Sequence, residues 1–261
     1  MRQINCALAV ISVGLGFPGC GLALPDGWGL VAAGGVKSPL VTSEADKDNL
    51  SSELIFIGTR DWDLPGQWTL QALGVAQFER ETAGRSFNVT DSATLGLVVR
   101  YRMVCCGTVS SGVRYGYEKQ IPTGLETTGV QLGLDHVVYK KIAGEWSAPR
   151  VVSGWSNIRF PGSKGGDVED WVAQGRYEIS QGFEIRPLSA APSLYFGLGS
   201  TLDKEGLSYN NKFVADIGGR LSWKLGKTAV SFDIRMLRDR RFLSDELYIG
   251  RQIRLGFRRV F

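Results

Sequence analysis

From Phe213 onwards the chain admits very few folds. In the segment FVADIGGRLSWKL, Phe213, Ala215, Ile217, Gly219, Leu221, Trp223 and Leu225 fall on one side. Val214, Asp216, Gly218, Arg220, Ser222 and Lys224 fall on the other. After a short GKT break, Val230, Phe232, Ile234 and Met236 oppose Ser231, Asp233 and Arg235. The final segment sets Leu247, Ile249, Ile253, Leu255 and Phe257 against Tyr248, Gly250, Gln252, Arg254 and Gly256. A period of two is the signature of a β-strand, because successive side chains point to opposite faces.

These strands exceed the usual globular length of about five or six residues. A soluble sandwich with one wet face shares the alternation. Strands of about ten residues with an apolar face and a face carrying Arg, Lys and Asp are what a membrane-spanning barrel requires.

The pattern resembles bacterial outer-membrane β-barrels, whose last strand typically ends in Phe with hydrophobic residues at every second position before it. Phe261, Phe257, Leu255 and Ile253 match that assembly signal, and Arg259 departs from it. The resemblance implies the barrel-assembly machinery as a partner, and outer-membrane lipid and lipopolysaccharide as surroundings.

The N-terminus reads as an export signal. Arg2 supplies charge, residues 5 to 17 are mostly apolar and small, and Gly21-Leu22-Ala23 resembles a cleavage site. Residues 1–23 are thus expected to be removed, leaving 24–261 as one barrel domain. Cys6 and Cys20 fall in the signal, so Cys105 and Cys106 are the thiols of the mature chain. That excludes a cysteine metal cluster. The pair reads as two small turn residues, with a vicinal or intermolecular disulfide as the alternative. A formal net charge of +4, without a basic run interleaved with aromatics, does not suggest nucleic acid. No metal or other cofactor is indicated.

Earlier in the chain, strands are expected over 28–36, 53–62, 67–79, 94–104, 108–118, 127–140, 145–157, 170–187 and 192–200. With the three C-terminal segments they predict an all-β fold: a transmembrane antiparallel up-and-down barrel of about twelve strands. Connections near 63–66, 105–107, 141–144, 188–191 and 226–227 are short. Those near 37–52, 80–93, 119–126, 158–169, 201–212 and 239–244 are longer. Short periplasmic turns alternating with longer outer loops are the topology of bacterial barrels. Trp62, Trp68, Tyr117, Tyr139, Trp146, Trp171 and Trp223 lie near strand ends, as interfacial girdles do.

The inward faces decide function. The alternation places Arg100, Arg102, Arg114, Arg176, Arg186, Arg220, Lys224, Arg235 and Arg254 inside, with fewer acids: Glu118, Asp135, Glu178, Glu184, Asp216 and Asp233. An Arg-biased lumen favours anions. The same residues in a closed interior would form a network of internal ion pairs. The expected function is a channel or export pore for anionic solutes or polysaccharide. The alternative is a closed structural or adhesive barrel that binds a surface partner through its outer loops.

A lipid-modifying enzyme is a third reading, and catalysis is not expected. His136 is the one histidine. Its neighbour Asp135 points the other way in a strand, and His136 shares the outward face of Leu134 and Val138. No G-x-S-x-G motif is present, and the Gly-rich 162–166 segment lacks the strand–loop–helix setting of a phosphate loop.

The segment DWVAQGRYEISQGFEIRPL from Asp170, followed by YNNKFVADIGGRLSW, is similar in style to the C-terminal barrel domains of exopolysaccharide-export and phage-adsorption outer-membrane proteins. That resemblance implies an anionic polysaccharide as cargo and export proteins as partners.

Overall fold

Alternating side chains generate twelve strands, and these close on themselves. The computed structural model describes residues 27–41, 50–82, 89–105, 107–143, 149–160, 171–183, 190–203, 211–245 and 247–261. The strands are β1 (Trp28–Val41), β2 (Ser51–Asp63), β3 (Trp68–Glu81), β4 (Thr90–Met103), β5 (Gly107–Gln120), β6 (Glu126–Ala143), β7 (Arg150–Arg159), β8 (Val172–Gly182), β9 (Ala191–Asp203), β10 (Lys212–Leu225), β11 (Thr228–Arg241) and β12 (Leu247–Val260). Each pairs antiparallel with its sequence neighbours, and β1 pairs with β12 from Val31↔Val260 to Val41↔Arg251. Closure leaves no sheet edge unpaired, which hydrocarbon demands.

A 14-residue strand such as β10 runs for about 46 Å at ~3.3 Å per residue. Tilted as barrel strands are, that crosses an apolar band of about 25 Å with residues to spare at both rims. The outer face is apolar and bare: Leu95, Leu97, Val113, Tyr115, Val130, Leu132, Leu194, Ile217, Ile234 and Ile249 are all exposed. In water such a surface would be a large unburied apolar area. Facing lipid, it supplies the driving force for insertion.

Several expected boundaries shift. The first strand extends past Val36, so Lys37 is a strand residue and not part of a loop. The strand expected over 170–187 ends at Gly182, and Arg186 and Glu184 lie outside the described residues. The strand expected from 145 starts at Arg150, and the pairing register shifts between Lys141 and Ala143, where β6 meets the start of β7. The β10–β11 connection is a two-residue hairpin turn, 226–227, with Gly226 at φ 61°. A positive φ is what such turns require and glycine supplies. The expected signal segment, Trp146 and Cys106 are outside the described residues. Cys105 is disulfide-bonded, so the reading of the cysteines as mere small turn residues is replaced by a covalent link.

Trp62, Trp68 and Trp223 face outward at the short-turn end, Tyr117 faces outward near the long-loop end, and Trp171 is exposed there just before β8. The Arg60 guanidinium lies 5.3 Å from the Trp62 ring. Tyr139 is a correction. It has the parity of Asp135 on β6 and faces the lumen, where it lines a cavity with Arg102.

Candidate functional site: a charged lumen

The register places Arg100 and Arg102 of β4, Arg114 of β5, Arg176 of β8, Arg220 and Lys224 of β10, Arg235 of β11 and Arg254 of β12 on the inner face. They fall into two populations.

The first is a cross-strand ion-pair network on the β8–β12 wall. Arg220 forks onto Glu178, with Nη1 and Nη2 donating at 2.9 and 3.0 Å, and its Nε donates to Asp233 at 3.2 Å. The Tyr195 hydroxyl donates to the other Asp233 oxygen at 2.8 Å, and the Arg220 guanidinium stacks 4.6 Å from the Tyr195 ring. Asp216, whose side chain is 0% exposed, accepts from Arg176 at 2.7 Å and from Arg235 at 3.0 Å. Arg235 continues to Gln252 through Nε at 2.8 Å. Gly197 makes the network fit, because a Cβ there would strike both the Asp216 carboxylate and the Arg176 guanidinium. A smaller group joins Arg114 and Arg159 to Asp135, with Arg159 at 2.9 Å. Bidentate, charge-assisted bonds of this kind hold their members in fixed orientations.

The second population is bare. Arg102, Lys224, Arg254 and Arg258 are exposed on the inner face and make no ion pair among the described residues. The luminal acids, apart from the exposed Asp63 at the short-turn rim, are instead occupied. Asp61 accepts from Gln71 at 2.7 Å and Arg100 at 3.4 Å. Glu53 and Glu79 share the Gln77 amide at 3.0 and 2.7 Å. Lys37, Glu53, Asp61, Arg159, Trp155, Tyr195 and Arg258 are luminal residues that the alternation did not single out.

Phe261, Phe257, Leu255 and Ile253 lie along the outer side of the closing strand and beyond its end. Arg259 shares that side, and its guanidinium rests 5.0 Å from the Phe261 ring. A cation over an aromatic face can tolerate the interface, so the departure from the usual terminal pattern has a local explanation.

On the lipid face, β6 and β7 set His136 opposite Ser156. His136 Nδ1 and Ser156 Oγ each lie 2.8 Å from the Tyr177 hydroxyl. Asp135 points inward to Arg114 and Arg159 and takes no part. The three outer polar groups bond to one another, as groups facing hydrocarbon must.

A closed antiparallel barrel with an apolar exterior and a charged interior defines an outer-membrane β-barrel, and the bacterial outer membrane is where this protein resides. No protein-family model and no curated protein matches the chain. Among solved structures, the β-domain of the Bordetella autotransporter BrkA matches with a TM-score of 0.52 at 14% identity, over 90% of this chain and 100% of that one. An outer-membrane channel from Pseudomonas putida matches at 0.49 and 13% identity, over 94% and 99%. The translocator domain of the autotransporter NalP from Neisseria meningitidis matches at 0.42 and 17%, over 100% and 95%. At such identities the shared property is the fold.

Proposed function

We propose that the protein is an outer-membrane channel that favours anionic solutes, with acidic polysaccharide as the largest cargo class. One observation carries this reading. Luminal acids other than Asp63 are occupied by hydrogen bonds and ion pairs, whereas four cations, Arg102, Lys224, Arg254 and Arg258, are exposed and unpaired among the described residues. Paired charges cancel at a distance, so the bare cations set the sign of the potential that a permeating ion meets. The outward C-terminal pattern supports delivery by the barrel-assembly machinery, and the apolar belt supports contact with lipid and lipopolysaccharide.

Planar-bilayer recording of the refolded mature chain tests the reading. Stable, anion-selective steps are expected, and Arg254→Glu with Arg258→Glu should move the reversal potential towards cation preference. A folded but silent barrel would overturn conduction. It would favour the closed reading, in which the β8–β12 network fills the interior and the outer loops bind a surface partner.

The His136–Tyr177–Ser156 group is read here as a self-satisfied polar patch and not as a catalytic centre. His136→Ala is therefore expected to leave the lipid A profile of producing cells unchanged. An altered profile would revive the lipid-modifying reading.

A further inference from the structure

The bare cations are not spread evenly along the barrel axis. On the inner face towards the long-loop rim, Lys212 pairs with Asp239 at 3.9 Å and Arg159 with Asp135 at 2.9 Å. At the short-turn rim, which is the periplasmic end of a barrel of this topology, the pattern reverses. There Lys224, Lys227 and Arg258 line a single cavity of about 600 Å³ and make no ion pair among the described residues.

The strand register explains how that cavity is built. Lys224 of β10, Ala229 of β11 and Arg258 of β12 are consecutive cross-strand partners, so one rung of the wall reads cation, alanine, cation. The next rung towards the membrane centre reads Ser222, Ser231, Gly256. Ser222 and Ala229 are the small side chains of these rungs that line the cavity, between two cations that stand two strands apart, about 9.6 Å at ~4.8 Å per strand. The turn adds Lys227 at the edge. One rung further in, Asp233 is already held by Arg220 and Tyr195. Among the described residues, no side-chain carboxylate of β10, β11 or β12 is left to neutralise the cleft, and the unpaired Asp63 stands at the same rim on β2.

We propose that this periplasmic mouth is a binding site for an extended organic dicarboxylate, whose two carboxylates are held by Lys224 and Arg258, with Lys227 and the Ser222 hydroxyl beside them. A separation of two strands suits an anion with charge at both ends better than a single compact phosphate. The volume lies within the range of small-molecule sites, about 300–1,000 Å³. The proposal extends the anion-channel reading by giving it a capture site on one side of the membrane, and it shares with that reading only the sign of the charge.

Calorimetry therefore tests it without any current. The refolded mature barrel in a zwitterionic detergent is titrated with adipate, and separately with inorganic phosphate. Adipate should bind, phosphate should bind more weakly, and added salt should weaken both. Lys224→Gln and Arg258→Gln should each reduce adipate affinity by about fivefold, the upper range for exposed charge pairs. Both side chains are exposed, and heat-modifiable gel mobility checks that the variants fold. Equal binding by wild type and the Lys224→Gln/Arg258→Gln double variant, or phosphate binding as tightly as adipate, would overturn the proposal. A silent barrel that binds adipate would overturn the channel alone, and a conducting barrel that does not bind it would overturn this site alone.

Discussion

Asp216→Ala should destabilise the barrel more than any other single change in the lumen, by about 3 kcal/mol, the lower end for removing one partner of a buried ion pair. The Asp216 side chain has no solvent exposure and joins Arg176 of β8 to Arg235 of β11. Its loss leaves two guanidiniums facing one another across β9 and β10, with their shared counter-charge gone. Glu178, 3.7 Å from Arg176, offers partial relief, but Arg220 already grips it with two nitrogens. The measurement is the urea midpoint of the barrel refolded in lipid vesicles, followed by heat-modifiable mobility. A second variant separates charge from packing. Replacing Arg176 and Arg235 by Met on the Asp216→Ala background removes the uncompensated cations, and should recover part of the loss. An unchanged midpoint for Asp216→Ala would mean that luminal water screens the wall so well that the network contributes nothing.

That network was only half legible in the sequence. Alternation is clear through the middle of β10, β11 and β12, so the inward parity of Asp216, Arg220, Asp233, Arg235 and Arg254 follows from counting. Which of them meet does not. Arg220 and Glu178 lie 42 positions apart, and only the strand register brings them together. Tyr195 and Gly197 carry no signal in the sequence, because their contribution is a hydroxyl and an absence of bulk at one level of the wall. In β2 the period itself fails: Ile55 and Ile57 share the inner face with Glu53 and Asp61, while Leu54 and Phe56 face out. With apolar residues on both sides, nothing local marks Glu53 as luminal. Lys37 was hidden differently, among polar residues whose composition reads as loop. The outer His136–Ser156 pairing likewise depends on the β6–β7 register, which no local pattern encodes.

The second large effect belongs to the outer face. Ile217→Arg should cost about 2–4 kcal/mol, the range for Arg near the bilayer midplane on a lipid-facing barrel position. Ile217 is 61% exposed near the middle of β10 and points away from the lumen, between strands that present Phe196 and Met236 on the same side. A guanidinium there must reach a headgroup or draw water into the hydrocarbon. Ser231→Arg is the matched control. It sits on the inner face of the adjacent strand beside Ser222 and Gly256, which leave room for a longer side chain. Its charge would meet luminal water, which screens the repulsion from Lys224 and Arg258, so the change should fall within about 1 kcal/mol, the size of exposed charge–charge effects. Refolding both variants into vesicles and comparing urea midpoints measures the difference directly. The contrast depends on facing alone, since both substitutions place the same cation in neighbouring strands. Equal costs would mean that both positions meet water, as they would in a soluble sheet. A loss confined to Ile217→Arg fixes the lipid side of the wall, and with it the inward side on which Lys224, Arg254 and Arg258 stand.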